Sequence, residues 1–352
     1  MAGRTGAGVT GPAGATADAA GAPVDVLAAA DPVQAVLAAH RTGRRIALRT
    51  SGTTSRPRSV VRSTASWWDS FPAVSALADL GAGARLWLPG PLTASMNLFA
   101  AVHAQAVGGQ VVDDVSAATH ACLTPAVLTT ALADGTALRG LRVVVAGDRL
   151  TRELADRAAA AGARVGHYYG AAELSFLAWG SADDDLRPFP GVEVEVRDGV
   201  LWARSPYLAD GYAEGDGPFV RDAQGWATVG DRGGRTAYGR LVVAGRGHLA
   251  VLTGGATVLV ADVEAALRAA GAGDCVVVGV PHPRLGQLVA AVGTDAEALA
   301  AARATGLPEL SAAQRPRRWV HLDCWPLTAA GKVDRTAVAS LAAQPRHPRA
   351  VT

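Results

Sequence analysis

From Leu141 to Tyr168 the chain switches between two periodicities. An apolar strand-like run (Leu141 to Ala146) meets a glycine turn, a helix opened by Thr151 and closed at Gly162 follows, and Arg164 to Tyr168 reads as a second strand. A helix between two strands is a crossover, not a hairpin, so the strands lie side by side and parallel; a parallel sheet then needs apolar cover on both faces. The expected class is α/β, with the main core built on a parallel sheet.

With 49% hydrophobic residues among 352 positions, the chain can bury one or two ordinary cores. Residues 1–23 are mostly Ala, Gly, Thr, Pro and Asp without periodicity and read as a mobile leader, so ordered structure is expected from about Val24. Asp31 to Arg41 has helical spacing, and Arg45 to Arg49 reads as a strand entering a polar stretch. Helical periodicity disappears from Gly191 to Gly245, where short runs (Val192 to Val196, Val200 to Ala203, Leu241 to Ala244) alternate with turns. Beyond it, Thr257 to Val260, Cys275 to Val280, Leu288 to Val292 and Trp319 to Leu322 read as strands, with a helix at Ala261 to Ala270. The expected division is an N-terminal domain over 24–245, with a small β subdomain at 191–245, and an α+β C-terminal domain over 246–345.

The formal charge of +2, from 33 Lys+Arg against 31 Asp+Glu, gives no electrostatic reason to expect a nucleic-acid partner. Cys122, Cys275 and Cys324 are far apart and form no CxxC pair, which argues against a disulfide framework and a cysteine zinc site. The histidines are scattered singly and read as surface or packing residues. No apolar stretch reaches membrane-spanning length, and a cytoplasmic location is expected. One bias stands out: Lys332 is the single lysine in a chain otherwise supplied with arginine. The two are interchangeable on a solvated surface but not where a compact ammonium is required.

Four segments carry groups suited to nucleotide chemistry. Arg49-Thr50-Ser51-Gly52-Thr53-Thr54-Ser55-Arg56-Pro57-Arg58 follows a strand and can turn hydroxyls and backbone N–H groups toward one anion, with Arg58 as a charge partner. The Gly-Lys-Ser/Thr of a Walker loop is missing, and a plain turn uses the same residues. Tyr169-Gly170-Ala171-Ala172-Glu173, at the end of the Arg164 strand, offers a ring for a nucleobase and a carboxylate for Mg²⁺ facing phosphates; a core tyrosine beside a surface glutamate is the plainer reading. Gly230-Asp231 is followed after fifteen residues by Arg246, a carboxylate for ribose hydroxyls and a guanidinium for phosphate, although Gly-Asp is also a common turn. Pro326-Leu327-Thr328-Ala329-Ala330-Gly331-Lys332 sets the single lysine on a glycine-containing loop.

In this order the segments resemble the adenylate-forming superfamily of acyl-CoA synthetases, carrier-protein-loading adenylation domains and luciferases. Its phosphate loop is similar to Thr50 to Arg58, its Tyr-Gly-x-Thr-Glu motif to Tyr169–Glu173, its Thr-Gly-Asp motif to Val229–Asp231, its Gly-Arg hinge strand to Gly245–Arg246, and its Pro-x4-Gly-Lys to Pro326–Lys332. Thr253 to Glu264 and Val278 to Gln287 are similar to its C-terminal domain. The resemblance implies an acyl-adenylate-forming fold with a parallel-sheet N-terminal domain, a small β subdomain and a mobile C-terminal domain.

It further implies that Thr50, Ser51, Gly52, Thr53 and Thr54 embrace the ATP phosphates with Arg58 alongside, that Glu173 binds Mg²⁺, that Tyr169 and Gly170 lie against adenine, and that Asp231 holds the ribose. Arg246 would contact the nucleotide, and Lys332 would bridge carboxylate and α-phosphate while the adenylate forms. An ammonium placed where both groups gain negative charge favours the transition state over the ground state. The acid would sit between Leu88–Phe99 and Ala146–Phe176, beside Met96, Gly147, Ala171 and Ala172. Small and apolar residues dominate there (Leu92, Met96, Leu98, Ala100, Ala171, Ala172, Leu174, Phe176), without an evident aspartate placed to pair an α-amine, so a fatty or aromatic acid is expected.

Departures from the family pattern are Ser55 for glycine, Arg58 for lysine, Ala172 for threonine, and His248 at the hinge position where aspartate is typical. About 49 residues precede the phosphate loop, fewer than in the family, so the resemblance implies a shortened member. The function expected is ATP-dependent activation of a carboxylic acid followed by thioester formation with coenzyme A. The rivals are transfer to an acyl carrier protein's phosphopantetheine thiol and a non-catalytic nucleotide-binding subunit.

Overall fold

The computed structural model describes residues 21–50, 58–246 and 250–344. Residues 1–20 of the stretch 1–23 expected to be a leader, the phosphate-loop residues Ser51 to Pro57 and the hinge residue His248 lie outside these. Among the described residues the strands form four sheets, and no helix is long and apolar enough to cross a membrane.

The seven-stranded sheet runs in the order Arg187–Pro188, Ser175–Gly180, Arg164–Ala171, Arg142–Val145, His120–Leu123, Arg85–Trp87, Gln110–Val112. The five strands from Arg164–Ala171 onward are parallel, as the crossover pattern predicts. Ser175–Gly180 and Arg187–Pro188 add antiparallel strands at one end, so the sheet is mixed. Alternation along the strands serves two cores. Ala121, Leu123, Val143 and Val145 pack with the helices Pro125–Ala133 and Arg152–Ala160, whereas Cys122 and Val144 pack with Leu86, Met96, Ala100 and Ala104 on the other face. The helices begin where their sequences supply caps: Asp31, Thr124, Thr151, Asp295 and Asp334 each accept a backbone N–H of the first turn.

The strand over the tyrosine motif extends further than its apolar pattern predicts. It runs through Tyr169, Gly170 and Ala171 to Ala171, because the neighbouring strand Ser175–Gly180 folds back and pairs with them through a bulge at Tyr169/Gly170. A second sheet joins Val24–Asp25, Arg45–Thr50, Arg58–Ser63 and Gly211–Tyr212; Arg45–Thr50 and Arg58–Ser63 are antiparallel, with Thr50 paired to Arg58. Gly211–Tyr212 therefore leaves the region expected to be a self-contained β subdomain. The remaining strands there, Glu193–Arg197, Val200–Arg204, Val220–Arg221, Ala227–Thr228, Asp231–Arg235 and Leu241–Arg246, are antiparallel.

The fourth sheet contains Ala256–Leu259, Ala250–Thr253, Gly286–Gly293, Cys275–His282 and Arg318–His321. Val276, Val278 and Val280 face Val338 and Ala342 of the helix Arg335–Ala343, and Cys275 and Val277 face Val263 and Leu267 of the helix Val260–Ala269.

Candidate active site

Parallel strands bring residues distant in sequence to one edge. Leu123 pairs with Val145 and Val145 with His167, so Thr124, Gly147 and Tyr169 stand at or just beyond the same level of three neighbouring strands, toward their carboxyl ends. The chain leaves Arg85–Trp87 for Gln110–Val112 on one side and continues through His120–Leu123 on the other. Such a reversal of strand order opens a crevice outside the carboxyl ends, where open α/β sheets bind ligands.

Gly147 lies at this edge with φ +88°, a left-handed conformation that favours glycine. A Cβ there would lie 3.1 Å from Met96 Sδ, 3.2 Å from Lys332 Cε and 3.5 Å from Thr124 Cγ2. The missing side chain is thus the space through which the lysine arm crosses the strand edge. Lys332 arrives from the fourth sheet on a tight turn: Gly331 N–H donates to the Thr328 carbonyl, Thr328 N–H to the Lys332 carbonyl, and Leu327 bridges Val333.

Tyr169 donates its hydroxyl to Asp231 Oδ2 at 2.6 Å, joining two residues 62 positions apart, and Asp231 is buried. Arg246 is the backbone partner of Asp231 in the adjoining strand, which puts the fifteen-residue spacing into a hairpin. Glu173, also buried, receives the Tyr212 hydroxyl at 2.8 Å; burial and the glutamate raise the tyrosine's pKa above its ordinary value. A single buried carboxylate is a donor set that suits Mg²⁺, which takes few protein ligands and keeps phosphate and water oxygens.

The turn carrying Glu173 is held by a residue that the sequence pattern did not single out. Arg62, 1% exposed, donates to the Ala172 carbonyl (3.1 Å), Ser175 Oγ (2.7 Å), the Tyr207 carbonyl (2.6 Å) and Ser66 Oγ (3.0 Å). Burial pulls its pKa down to about 10, against the upward pull of Asp210 and Glu173, and it remains a cation at neutral pH. Tyr212, Thr124 and Arg62 carried no motif in sequence; of the three, only Thr124-Pro125, a common helix start, left a local signal.

A narrow apolar cavity, open to solvent, lies between the sheet and the helix Ser95–Ala106. Met96, Phe99, Tyr168 and Phe176 line it within the stretches expected to hold the acid, together with Ala100 of the same helix and Cys122, Val144 and Trp179 from the strands. Gly147, Ala171 and Ala172 are not in its wall: Gly147 flanks it across Met96, Ala171 packs on the aromatic core, and the Ala172 carbonyl faces Arg62. Its titratable groups are uncharged at neutral pH. Burial lowers the His103 pKa to about 4 and lowers that of His120, and it raises the Cys122 thiol to about 12 and Tyr168 further. Among the described residues no Asp, Glu, Lys or Arg lines this cavity. Among the described residues no cluster of three His, Cys, Asp or Glu side chains could hold a metal.

A second, charged cleft is lined by the edge residues Thr124, Asp148 and Arg149 and by Glu264, Asp274, Lys332 and Arg335 of the C-terminal part. Arg335 donates to Glu264 Oε1 at 2.7 Å, and Glu264 in turn accepts the Val277 N–H at 2.8 Å. Burial raises the Asp274 carboxyl pKa, opposed by the bond from Trp325 Nε1.

Comparison with known proteins gives the following likenesses. The AMP-binding enzyme family model matches residues 46–213. A probable 2-succinylbenzoate–CoA ligase of Mycobacterium tuberculosis is 31% identical over 341 residues, covering 87% of this chain and 88% of that protein. An uncharacterised acyl–CoA ligase of Bacillus subtilis, YhfT, is 28% identical over 324 residues, covering 82% of this chain and 67% of that protein. Among solved structures, an Escherichia coli MenE variant with bound OSB-AMS superposes with a TM-score of 0.69 at 23% identity, covering 84% of this chain and 68% of that one. The amide bond synthetase McbA of Marinactinospora thermotolerans gives 0.64 at 27% identity, covering 82% and 68%.

Proposed function

The chain belongs to the AMP-binding enzyme family, and on that premise we propose that it is an AMP-forming acid–thiol ligase for an uncharged fatty or aromatic carboxylic acid, with coenzyme A as acceptor. The observation that carries this reading is the placement of the single lysine. Its Cε lies over Gly147 at the carboxyl edge of the parallel sheet, next to Met96 at the wall of the apolar cavity.

In the first step a carboxylate oxygen of the acid attacks the α-phosphorus of ATP. The bond to the β-phosphate oxygen breaks, pyrophosphate leaves with the electron pair, and an acyl-adenylate remains. Lys332, between carboxylate and α-phosphate, offsets the charge gathering on both. Asp231, oriented by Tyr169, receives the ribose hydroxyls, and Thr50 to Thr54 with Arg58 and Arg246 hold the phosphates. Glu173, fixed by Tyr212, would hold Mg²⁺, which supplies charge neutralisation at the phosphates when bound. In the second step the thiol loses its proton to solvent and its sulfur attacks the acyl carbon, the bond from that carbon to the phosphate oxygen breaks, and AMP leaves with the electron pair. A rotation of residues 246–345 about His248 exchanges the two steps. Support for two such bodies comes from the buried clusters, which are confined either to residues 24–243 or to 251–342 among the described residues.

The neutral cavity wall favours an apolar acyl body over one with a second ionised group, whose burial without a partner is costly. The test is acid-dependent exchange of labelled pyrophosphate into ATP across fatty, aromatic and dicarboxylic acids, in wild type and Lys332→Ala. Exchange with apolar monoacids that falls roughly 10²-fold in the variant is the expected result. Exchange unchanged by Lys332→Ala, or none with any acid, would refute the reading. Comparing coenzyme A with a phosphopantetheinylated carrier protein then identifies the acceptor.

A further inference from the structure

We propose that Thr124 is a positioning residue for Lys332: its hydroxyl latches the glycine-lysine turn to the start of the helix Pro125–Ala133. The proposal rests on the ligase reading for its catalytic consequence, but not for the latch itself.

Thr124 Oγ1 donates to the Gly331 carbonyl at 2.5 Å, 207 positions along the chain. The same oxygen accepts the Val127 N–H at 3.3 Å, the helix-capping bond of that residue. One hydroxyl thus spends its proton on the turn and a lone pair on its own helix. The fit around it is close. Gly331 has φ +73°, and a Cβ there would lie 3.2 Å from Val127 Cγ2 and 3.4 Å from Thr124 Oγ1. The next residue is Lys332, whose Cε reaches Gly147 while Thr124 Cγ2 borders the same spot. The hydroxyl therefore fixes the turn from which the lysine arm starts, and the methyl borders the place where the arm ends.

Thr124 touches none of the reacting groups in the proposed chemistry, so it acts through Lys332. The bond also bridges the sheet edge and the C-terminal part. When residues 246–345 rotate for thioester formation, it must break, and the capping bond to Val127 stays. The latch therefore holds one of the two arrangements, and its loss should slow the first step alone.

The single lysine gives a direct readout of the latch. Endoproteinase Lys-C cuts after lysine, so folded protein is nicked at one bond, Lys332–Val333. Cleavage there requires the turn to lift from its seat, and the rate follows the open population when reseating is fast. Thr124→Val removes proton and cap, Thr124→Asp keeps the cap but has no proton to donate, and Thr124→Ser keeps both. Val and Asp variants should be nicked roughly 3- to 10-fold faster than wild type, the range expected for one lost hydrogen bond, and Ser at the wild-type rate. Pyrophosphate exchange should fall by a similar factor in Val, while thioester formation from preformed acyl-adenylate is unchanged. In a Lys332→Ala background, Thr124→Val should cost no further exchange activity.

Nicking of Val and Asp at the wild-type rate would overturn the latch whatever the kinetics. Equal losses in both half-reactions, or an undiminished loss beside Lys332→Ala, would overturn the positioning role. Faster nicking in a protein that supports no exchange with any acid would sustain the latch and count against the ligase reading instead.

Discussion

Gly147→Ala perturbs the strand edge at the point where three chain segments meet. The added methyl carbon would stand 3.1 Å from Met96 Sδ and 3.2 Å from Lys332 Cε. Ordinary contacts are about 3.5–4.0 Å, so each neighbour must retreat by several tenths of an ångström. Both are ends of flexible side chains, and the fold survives. Alanine at φ +88° costs roughly 1–2 kcal/mol, which lowers Tm by a few degrees. The catalytic cost is larger, because misplacing a reacting group by about 1 Å can lose 10²-fold in rate. A shift of about half that predicts adenylation roughly tenfold slower. The assay is pyrophosphate exchange at varied acid concentration. If the lysine yields, kcat falls; if Met96 yields toward the cavity, KM for the acid rises. In a Lys332→Ala background the kcat effect should vanish. Unchanged kcat and KM in folded Gly147→Ala protein would refute the reasoning that this glycine is the passage for the lysine arm.

Two further perturbations address stability. Arg62→Lys keeps a charge but loses the planar fork that serves four acceptors, and should destabilise by roughly 2–4 kcal/mol in denaturant unfolding; a change within about 0.5 kcal/mol would contradict the clamp. His103 is neutral in the fold, with its pKa lowered from 6.5 to about 4, so it binds a proton more readily when unfolded. Its contribution is complete above pH 6.5 and is lost as pH falls toward 4, amounting to roughly 2 kcal/mol by pH 5. His120 and His167 act in the same direction. His103→Gln should flatten the stability profile between pH 7 and 5, and an unaltered slope would exclude His103 as its source.

How much was legible in sequence follows from the range of the forces involved. The crossover from Leu141 to Tyr168 announced itself through periodicity, and the cap at Thr151 fixed a helix start from one side chain. Strand ends were less legible. Tyr169 to Ala171 remain extended because Ser175 to Ala178 pair with them, a tertiary fact absent from their own pattern. The motif residues could be named singly, but the bond from Tyr169 to Asp231 and the passage beside Gly147 exist only once strands are in register. Arg62 was hidden for another reason. In a chain rich in arginine nothing local marks the one that is buried, since its acceptors lie up to 145 residues away. Thr124 looked like an ordinary helix start, and its second bond belongs to a turn 207 residues later.

The lysine turn has a chemical corollary. Lys332 is exposed on its turn and supplies the sole ε-amine of the chain, because guanidinium groups take every other long-chain cationic position. Reagents selective for primary amines, spread over many lysines in an ordinary protein, converge here on one side chain beside the α-amine once the exposed thiol of Cys324 is blocked. Carbamylation, glycation or an activated ester would then act on this protein as a site-directed agent. Side-chain incorporation would saturate at one equivalent, and occupancy of the cleft could be titrated by how far it shields that one amine.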